Sequence, residues 1–141
     1  MRVWDTSAVL PLLWREEGGD ALQAVLAADG DMAVWWGTKV EAASAICRLR
    51  RSGGVDERSA SRLLTQLEAL ISAAYEVQPV EEVRAAACRV LRVHELRAAD
   101  ALQLAAALVW TDHKPAGLGF VCLDRQLRAA AEREGFDVHP G

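Results

Sequence analysis

Residues 97–110 read RAADALQLAAALVW, a helical stretch that is apolar on nearly all sides. A helix without a continuous polar face belongs in the interior of a domain. The only acid in this stretch is Asp100, which is framed by Ala99 and Ala101. An ionised carboxylate in such surroundings is costly unless a cation or hydrogen-bond donors compensate it. The stretch therefore indicates a layered fold with a buried helix, and it marks Asp100 as a candidate functional residue.

Short apolar segments alternate with helical segments on both sides of this stretch. The predicted strands are residues 2–5, 32–36, 75–80, 120–123 and 136–139. The predicted helices begin near residue 8 and then cover residues 20–28, 39–51, 56–74, 81–94, 97–110 and 125–134. This alternation is typical of a parallel sheet with helices on both faces. A length of 141 residues suits one domain spanning residues 1–141.

Composition and charge exclude several classes of protein. The chain is 52% hydrophobic with a net charge of −4, so it can bury a core and is not a basic coat for nucleic acid. An enzyme that meets phosphate through a bound metal stays open, because the metal supplies positive charge locally. There is no apolar run of about 20 residues, and an acid stands at position 5, so we expect a cytoplasmic protein without membrane association.

Cys47, Cys88 and Cys122 are predicted to be buried free thiols.

Four acids fall where predicted strands end or where the following helices begin. Asp5 and Asp124 end strands, whereas Glu41 and Asp100 lie in the first turns of helices. In an open parallel sheet, ligands bind beyond the carboxyl ends of the strands. We therefore expect all four carboxylates to lie in one cleft at that edge of the sheet.

Each acid also has a purely structural explanation. Asp5 and Asp124 could cap helices, Asp100 could interact with a helix dipole, and the spacing of Thr38 and Glu41 is that of a capping box. Converging carboxylates would nevertheless repel one another unless a cation lies between them. Oxygen ligands of this kind suit Mg²⁺ or Mn²⁺. Such a metal activates water and offsets charge on phosphate, so metal-assisted hydrolysis of a phosphodiester is the simplest interpretation.

Ordered motifs along the chain carry a resemblance to a known family. They are Asp5-Thr6-Ser7-Ala8, WREE at residues 14–17, WWGT at residues 35–38 leading into Glu41, LRAADALQLA at residues 96–105 and VCLDRQL at residues 121–127. With these motifs in this order and spacing, essentially the whole chain resembles PIN-domain ribonucleases, in particular the VapC toxins of bacterial type II toxin–antitoxin systems.

The resemblance implies an α/β, PIN-like three-layer sandwich with a central parallel five-stranded sheet flanked by helices. It implies Mg²⁺-dependent cleavage of RNA, with Mn²⁺ as a possible substitute, a cognate VapB-type antitoxin and a homodimer. By the same resemblance, Thr6 matches a position that often helps to order the metal site, and Asp5 and Asp100 are expected to be the firmest metal ligands. The implied catalytic and metal-binding set is Asp5, Glu41, Asp100 and Asp124.

Two positions depart from the family pattern. Many relatives have Thr or Ser where Cys122 stands, and many have His where Gln103 stands. Both departures leave the acids intact, and they concern the details of RNA contact and of metal order.

Other residues suggest surfaces for RNA or for a partner. One ring of the Trp35–Trp36 pair should face outward, where Trp36 would stack a base or contact the antitoxin; packing at the rim of the core is the alternative. Arg48 and Arg51 belong to a basic cluster that either follows an RNA backbone or forms a solvated helix face. The apolar residues 10–14 are candidates for a groove that receives a partner helix.

Three other hypotheses compete with the hypothesis that the chain is a toxin. They are a PIN nuclease that processes RNA without an antitoxin, an inactive PIN scaffold that only binds a partner, and an aspartyl-phosphate enzyme. Four converging acids disfavour the scaffold, and Ser7 stands where a dehalogenase-type enzyme needs a second Asp. The apolar excess of the helices between Leu63 and Leu91 adds support for a homodimer.

Overall fold

The structure is a computed structural model that describes residues 1–14 and 19–141. Its helices and strands are β1 (Arg2–Trp4), α1 (Thr6–Leu13), α2 (Gly19–Ala28), β2 (Met32–Trp35), α3 (Thr38–Arg51), α4 (Glu57–Ala73), β3 (Tyr75–Val77), α5 (Glu81–Val93), α6 (Ala98–Trp110), β4 (Gly119–Val121), α7 (Arg125–Glu134) and β5 (Asp137–His139). Every predicted strand and helix is present, with ends that differ by a few residues. Most of the WREE motif and the predicted chain break at Gly18 lie outside the described residues.

The strands form a five-stranded parallel sheet in the order β3-β2-β1-β4-β5. With helices on both faces, this arrangement confirms the predicted PIN-like α/β sandwich. The central strand β1 pairs with β2 on one side and with β4 on the other, so the direction of the connections reverses between β1 and β4. Such a switch point opens a crevice beyond the carboxyl ends of the two strands.

The core consists of two layers, one on each face of the sheet. Side chains alternate between the faces, as the pleat of a strand requires: Val3 packs with α5, α6 and α7, whereas Trp4 packs with α1 to α4. Helix α6 is buried along most of its length, as its sequence predicts. This burial fixes the N-terminus of α6, and with it Asp100, against the edge of the sheet.

The ends of several elements differ from the predicted ends for local reasons. Strand β2 stops at Trp35, which is buried, and the next ring, Trp36, is 50% exposed, so the predicted split between an inward and an outward ring is confirmed. A side chain at Gly37 would come within 2.5 Å of Nε1 of Trp35, so the turn into α3 requires a glycine. Strand β3 ends at Val77, before Pro79, which has no N–H to donate to a ladder.

The cysteines match their prediction only in part. All three are free. Cys122 is buried and Cys47 is intermediate, but Cys88 is exposed on α5. The expectation that Cys88 is buried is wrong because the inward stripe of α5 consists of Val83, Ala87 and their neighbours.

Among the described residues, no helix combines the length and the apolar character that crossing a membrane requires.

Candidate active site at the carboxyl edge of the sheet

The structure brings the four predicted acids to one edge of the sheet. Asp5 follows β1 and caps α1, and Asp124 follows β4 and caps α7. Glu41 and Asp100 lie in the first turns of α3 and α6. The four carboxylates are within electrostatic reach, because Asp5 and Asp100 raise the pKa of Glu41, and Asp124 and Asp5 raise the pKa of Asp100. The expectation of a shared cleft agrees with this placement.

Asp5 is buried, with 4% of its surface exposed. Its Oδ2 accepts hydrogen bonds from the backbone N–H of Ser7 at 3.1 Å, from the Ser7 hydroxyl at 2.5 Å and from the Cys122 thiol at 3.5 Å. Burial raises the pKa of Asp5 even though these hydrogen bonds oppose the shift. The capping role considered from sequence is therefore present. These three bonds all end on Oδ2.

Glu41 does not form the capping box that its spacing suggested. The N-cap residue of α3 is Gly37, and Thr38 already lies inside the helix, so Thr38 does not hold the N-cap position that a capping box requires. Instead, Oε1 of Glu41 accepts a hydrogen bond from Nε2 of Gln103 at 3.0 Å. Burial raises the pKa of Glu41, and the charges of Asp5 and Asp100 raise it further.

Asp100 differs from the other three acids in its hydrogen bonding. Within residues 1–14 and 19–141, no side chain or backbone amide outside its own helix donates a hydrogen bond to its carboxylate. Burial raises its pKa most, followed by the charges of Asp124 and Asp5, while the positive charge of Arg97 opposes them. Asp124, by contrast, is exposed, and its Oδ1 accepts a hydrogen bond from the N–H of Leu127 at 2.9 Å.

The edge of the sheet carries an excess of negative charge. In the described part of the chain, none of the four acids forms an ion pair with Lys, Arg or His. Also within that part, no three His, Cys, Asp or Glu side chains are gathered at the spacing of a ready-made metal site. Mg²⁺ is usually held by one or two carboxylates and several waters rather than by a protein cage. The oxygen donors and their uncompensated charge thus fit a hydrated divalent cation.

Polar residues behind the acids complete the site. Thr6, named from the family motif, is buried, and its hydroxyl lowers the pKa of Glu41 by hydrogen bonding. Ser7, Thr38 and Gln103 were not predicted as site residues, although they contact Asp5, Thr6 or Glu41. Gln103 could have been found in the sequence, because it is the only uncharged polar residue in the otherwise apolar stretch 97–110.

The predicted RNA-contacting residues lie at different distances from the acids. Trp36 is exposed directly before α3, the helix that carries Glu41. Arg48 and Arg51 are exposed at the opposite end of α3. At 1.5 Å per residue they lie roughly 10 and 15 Å along the helix from Glu41. Only Trp36 is thus close to the acids along the chain, and the role of all three in RNA binding stays a prediction.

Several solved structures share this architecture. A toxin–antitoxin complex from Klebsiella pneumoniae aligns with a TM-score of 0.65 and 12% identity over 89% of this chain and 89% of its own. FitAcB from Neisseria gonorrhoeae aligns with a TM-score of 0.67 and 18% identity over 98% and 96%. PAE2754 from Pyrobaculum aerophilum aligns with a TM-score of 0.64 and 25% identity over 97% and 87%. No protein-family model and no curated protein matches the chain. These likenesses agree with the PIN-like fold.

The crowding of carboxylates predicts a pH-dependent stability for the metal-free protein. The folded state raises the pKa of Asp5, Glu41 and Asp100, so it binds protons more tightly than the unfolded chain. Its stability should therefore rise as pH falls from 7 through the raised values toward the ordinary values of 3.8 for Asp and 4.5 for Glu.

Asp100→Asn isolates this effect. At pH 7 in chelator it should raise the free energy of unfolding by up to about 1 kcal/mol, since solvent screens a half-buried charge. The gain should shrink as pH approaches 4, because Asp100 of the wild type is then protonated as well. Urea denaturation across this pH range measures both quantities, with the exposed Asp31→Asn as the control. A variant less stable than wild type at pH 7 would contradict the assigned repulsion.

Proposed function

We propose that this chain is a Mg²⁺-dependent endoribonuclease that hydrolyses RNA phosphodiester bonds with water. The observation that carries the proposal is the set of acids at the edge of the sheet. Three of them have a raised pKa, and in the described part of the chain none has a basic partner. A scaffold gains nothing from such repulsion, whereas a divalent cation bound by these carboxylates would relieve it.

Asp5 and Asp100 are the residues that would hold the ion, with Glu41 and Asp124 beside them. When bound, the ion would supply an activated water and offset charge on the scissile phosphate. The chain's own contribution is positional. Ser7 fixes Asp5 through two hydrogen bonds to a single carboxylate oxygen. Thr6 and Gln103 support Glu41 from the buried side.

The exposed ring of Trp36 supports RNA as the substrate. An aromatic face next to a phosphate-binding edge can stack an unpaired base, which single-stranded RNA offers and a regular duplex does not. The net charge of −4 disfavours binding of RNA through bulk electrostatics. Recognition would then depend on the metal and on a few local contacts, with Arg48 and Arg51 as the more distant candidates.

Loss of a ligand charge provides the direct test of the nuclease. Asp5→Asn and Asp100→Asn should each lower RNA cleavage by at least about 100-fold, the effect of removing a group that acts at the reacting atoms. Both variants should stay folded and should lose toxicity on induction. Asp31→Asn is the matched control, because its carboxylate is exposed before β2, at the opposite edge of the sheet. Cleavage by Asp100→Asn at the wild-type rate, or cleavage that persists in chelator, would sink the proposal.

We further propose that the nuclease is the toxin of a toxin–antitoxin pair. One of the structures that resemble this chain is a toxin–antitoxin complex, and another is FitAB bound to a DNA fragment. A groove of about 280 Å³ supports a protein partner; its lining residues are Leu10, Leu13, Trp14, Ala45, Ile46, Arg48, Leu49, Ser52 and Leu63. Apolar walls of this kind suit the apolar face of a helix. An RNA-processing nuclease without an antitoxin is the alternative, and it would leave the groove without a partner.

A charge in the groove should separate these two alternatives. Leu13→Glu should weaken binding to the protein encoded by a short neighbouring reading frame by roughly 30-fold or more, as expected for a buried interface residue. Ala116→Glu, on an exposed loop away from the groove, should bind normally. Calorimetry with the purified partner measures both. Equal binding by Leu13→Glu, or the absence of such a reading frame, would favour the alternative.

The homodimer stays a proposal with narrower support than the sequence suggested. Leu63 and Leu67 on α4 and Val83 on α5 pack into the chain's own core and are not available to a second copy. The large apolar side chains that are exposed in and next to this region are Tyr75, Val80, Leu91 and Val93. Helix α5 is therefore the surface on which two copies would meet.

Light scattering at micromolar concentration should give a mass of about 31 kDa, twice the 15.3 kDa of one chain. Val93→Glu should shift this mass toward that of one chain, because it places a charge in the proposed contact. A wild-type protein that remains at the mass of one chain would overturn the dimer without affecting the nuclease.

A further inference from the structure

Gln103 joins three separate parts of the site from inside the core. It lies on α6, one turn after Asp100, and none of its surface is exposed. Its Nε2 is 2.9 Å from the hydroxyl of Thr6, 2.9 Å from the hydroxyl of Thr38 and 3.0 Å from Oε1 of Glu41. A single amide nitrogen thus connects α6 to α1 and to the first turn of α3.

The neighbours of the amide fix its orientation. An ionised carboxylate only accepts hydrogen bonds, so the NH₂ group and not the carbonyl of Gln103 must face Glu41. The NH₂ group has two protons for three oxygen neighbours, so it can donate to Glu41 and to one of the two threonine hydroxyls at a time. Gln103 therefore holds the Glu41 carboxylate from the buried side of the site.

The other end of the amide argues against a role in packing alone. Among the described residues, Oε1 of Gln103 is buried and has no hydrogen-bond partner. An unpaired buried carbonyl destabilises the fold, and an apolar side chain of equal volume would fill the same space without that penalty. The polar side chain at this position is thus explained by the hydrogen bonds that Nε2 donates, and not by the space that the side chain fills in the core.

We propose that Gln103 is a positioning residue that sets the orientation of the Glu41 carboxylate toward Asp5 and Asp100. It contacts neither RNA nor the ion, and it acts only through Glu41 and the two threonines. Groups behind a metal ligand commonly control its orientation and the affinity of the site. The inference rests on the proposed metal-dependent function. It assigns to the Gln103 amide the orientation of the Glu41 carboxylate, which the other acids do not provide.

Two substitutions separate positioning from packing. Gln103→Met keeps nearly the same volume and removes the donor. Gln103→His keeps a ring N–H that can donate to Glu41. With RNA absent, the dissociation constant for Mn²⁺, followed by electron paramagnetic resonance, should rise about 10- to 100-fold in Gln103→Met. It should return to within a few-fold of wild type in Gln103→His. Thermal unfolding in chelator should show that both variants are folded.

Thr111→Val is the matched control for a buried polar residue. Thr111 caps the far end of α6, and its hydroxyl donates only to the carbonyl of Leu108 at 3.0 Å. It should lower stability and leave Mn²⁺ binding unchanged.

If wild type binds Mn²⁺ and Gln103→Met binds it equally well, the inference is wrong while the nuclease proposal stands. The same holds if Gln103→His binds as weakly as Gln103→Met. If wild type itself binds no Mn²⁺, both proposals fail.

Discussion

The burial of the Asp5 carboxylate at the end of the central strand is the constraint on which the site depends. Strand β1 lies between β2 and β4, so the residue that follows it cannot leave the interior without disturbing both pairings. The backbone N–H of Asp5 continues the ladder by bonding to the carbonyl of Val121 at 2.9 Å. The carboxylate is held in turn by Ser7 and Cys122. The fold thereby fixes one negative charge in a place from which water is largely excluded.

The four acids are tolerated there because each stands at the start of a helix. Asp5 and Asp124 cap α1 and α7, while Glu41 and Asp100 lie in the first turns of α3 and α6. The N-terminus of a helix carries partial positive charge, which stabilises nearby carboxylates by about 0.3–1 kcal/mol each. Four helix starts at one edge reduce the repulsion without removing it. The remainder is visible as the raised pKa values of Asp5, Glu41 and Asp100. Structural capping and metal binding are therefore compatible roles for the same residues.

Local pattern predicted the elements of this fold well, because the apolar periodicity of each segment agrees with its place in the structure. Asp100 could be recognised because an acid in an apolar helix is conspicuous in the sequence. The partner of Glu41 could not be recognised, since its spacing from Thr38 fits a capping box and only the meeting of the first turns of α3 and α6 at the edge of the sheet brings Gln103 to it. The solvent exposure of single residues could not be predicted either. Cys88 and Leu63 both stand in apolar runs, yet Cys88 is exposed and Leu63 belongs to the core.

Diffraction from crystals soaked in Mn²⁺, recorded at the manganese absorption edge, tests the central claim most directly. We expect an anomalous peak at the carboxyl edge of the sheet, in contact with Asp5 and Asp100, which disappears in Asp100→Asn. At saturating Mn²⁺, an edge without a peak in the wild type would contradict it. In that case Asp5 and Asp124 would only cap helices, and Glu41 and Asp100 would only be acids in a first helical turn.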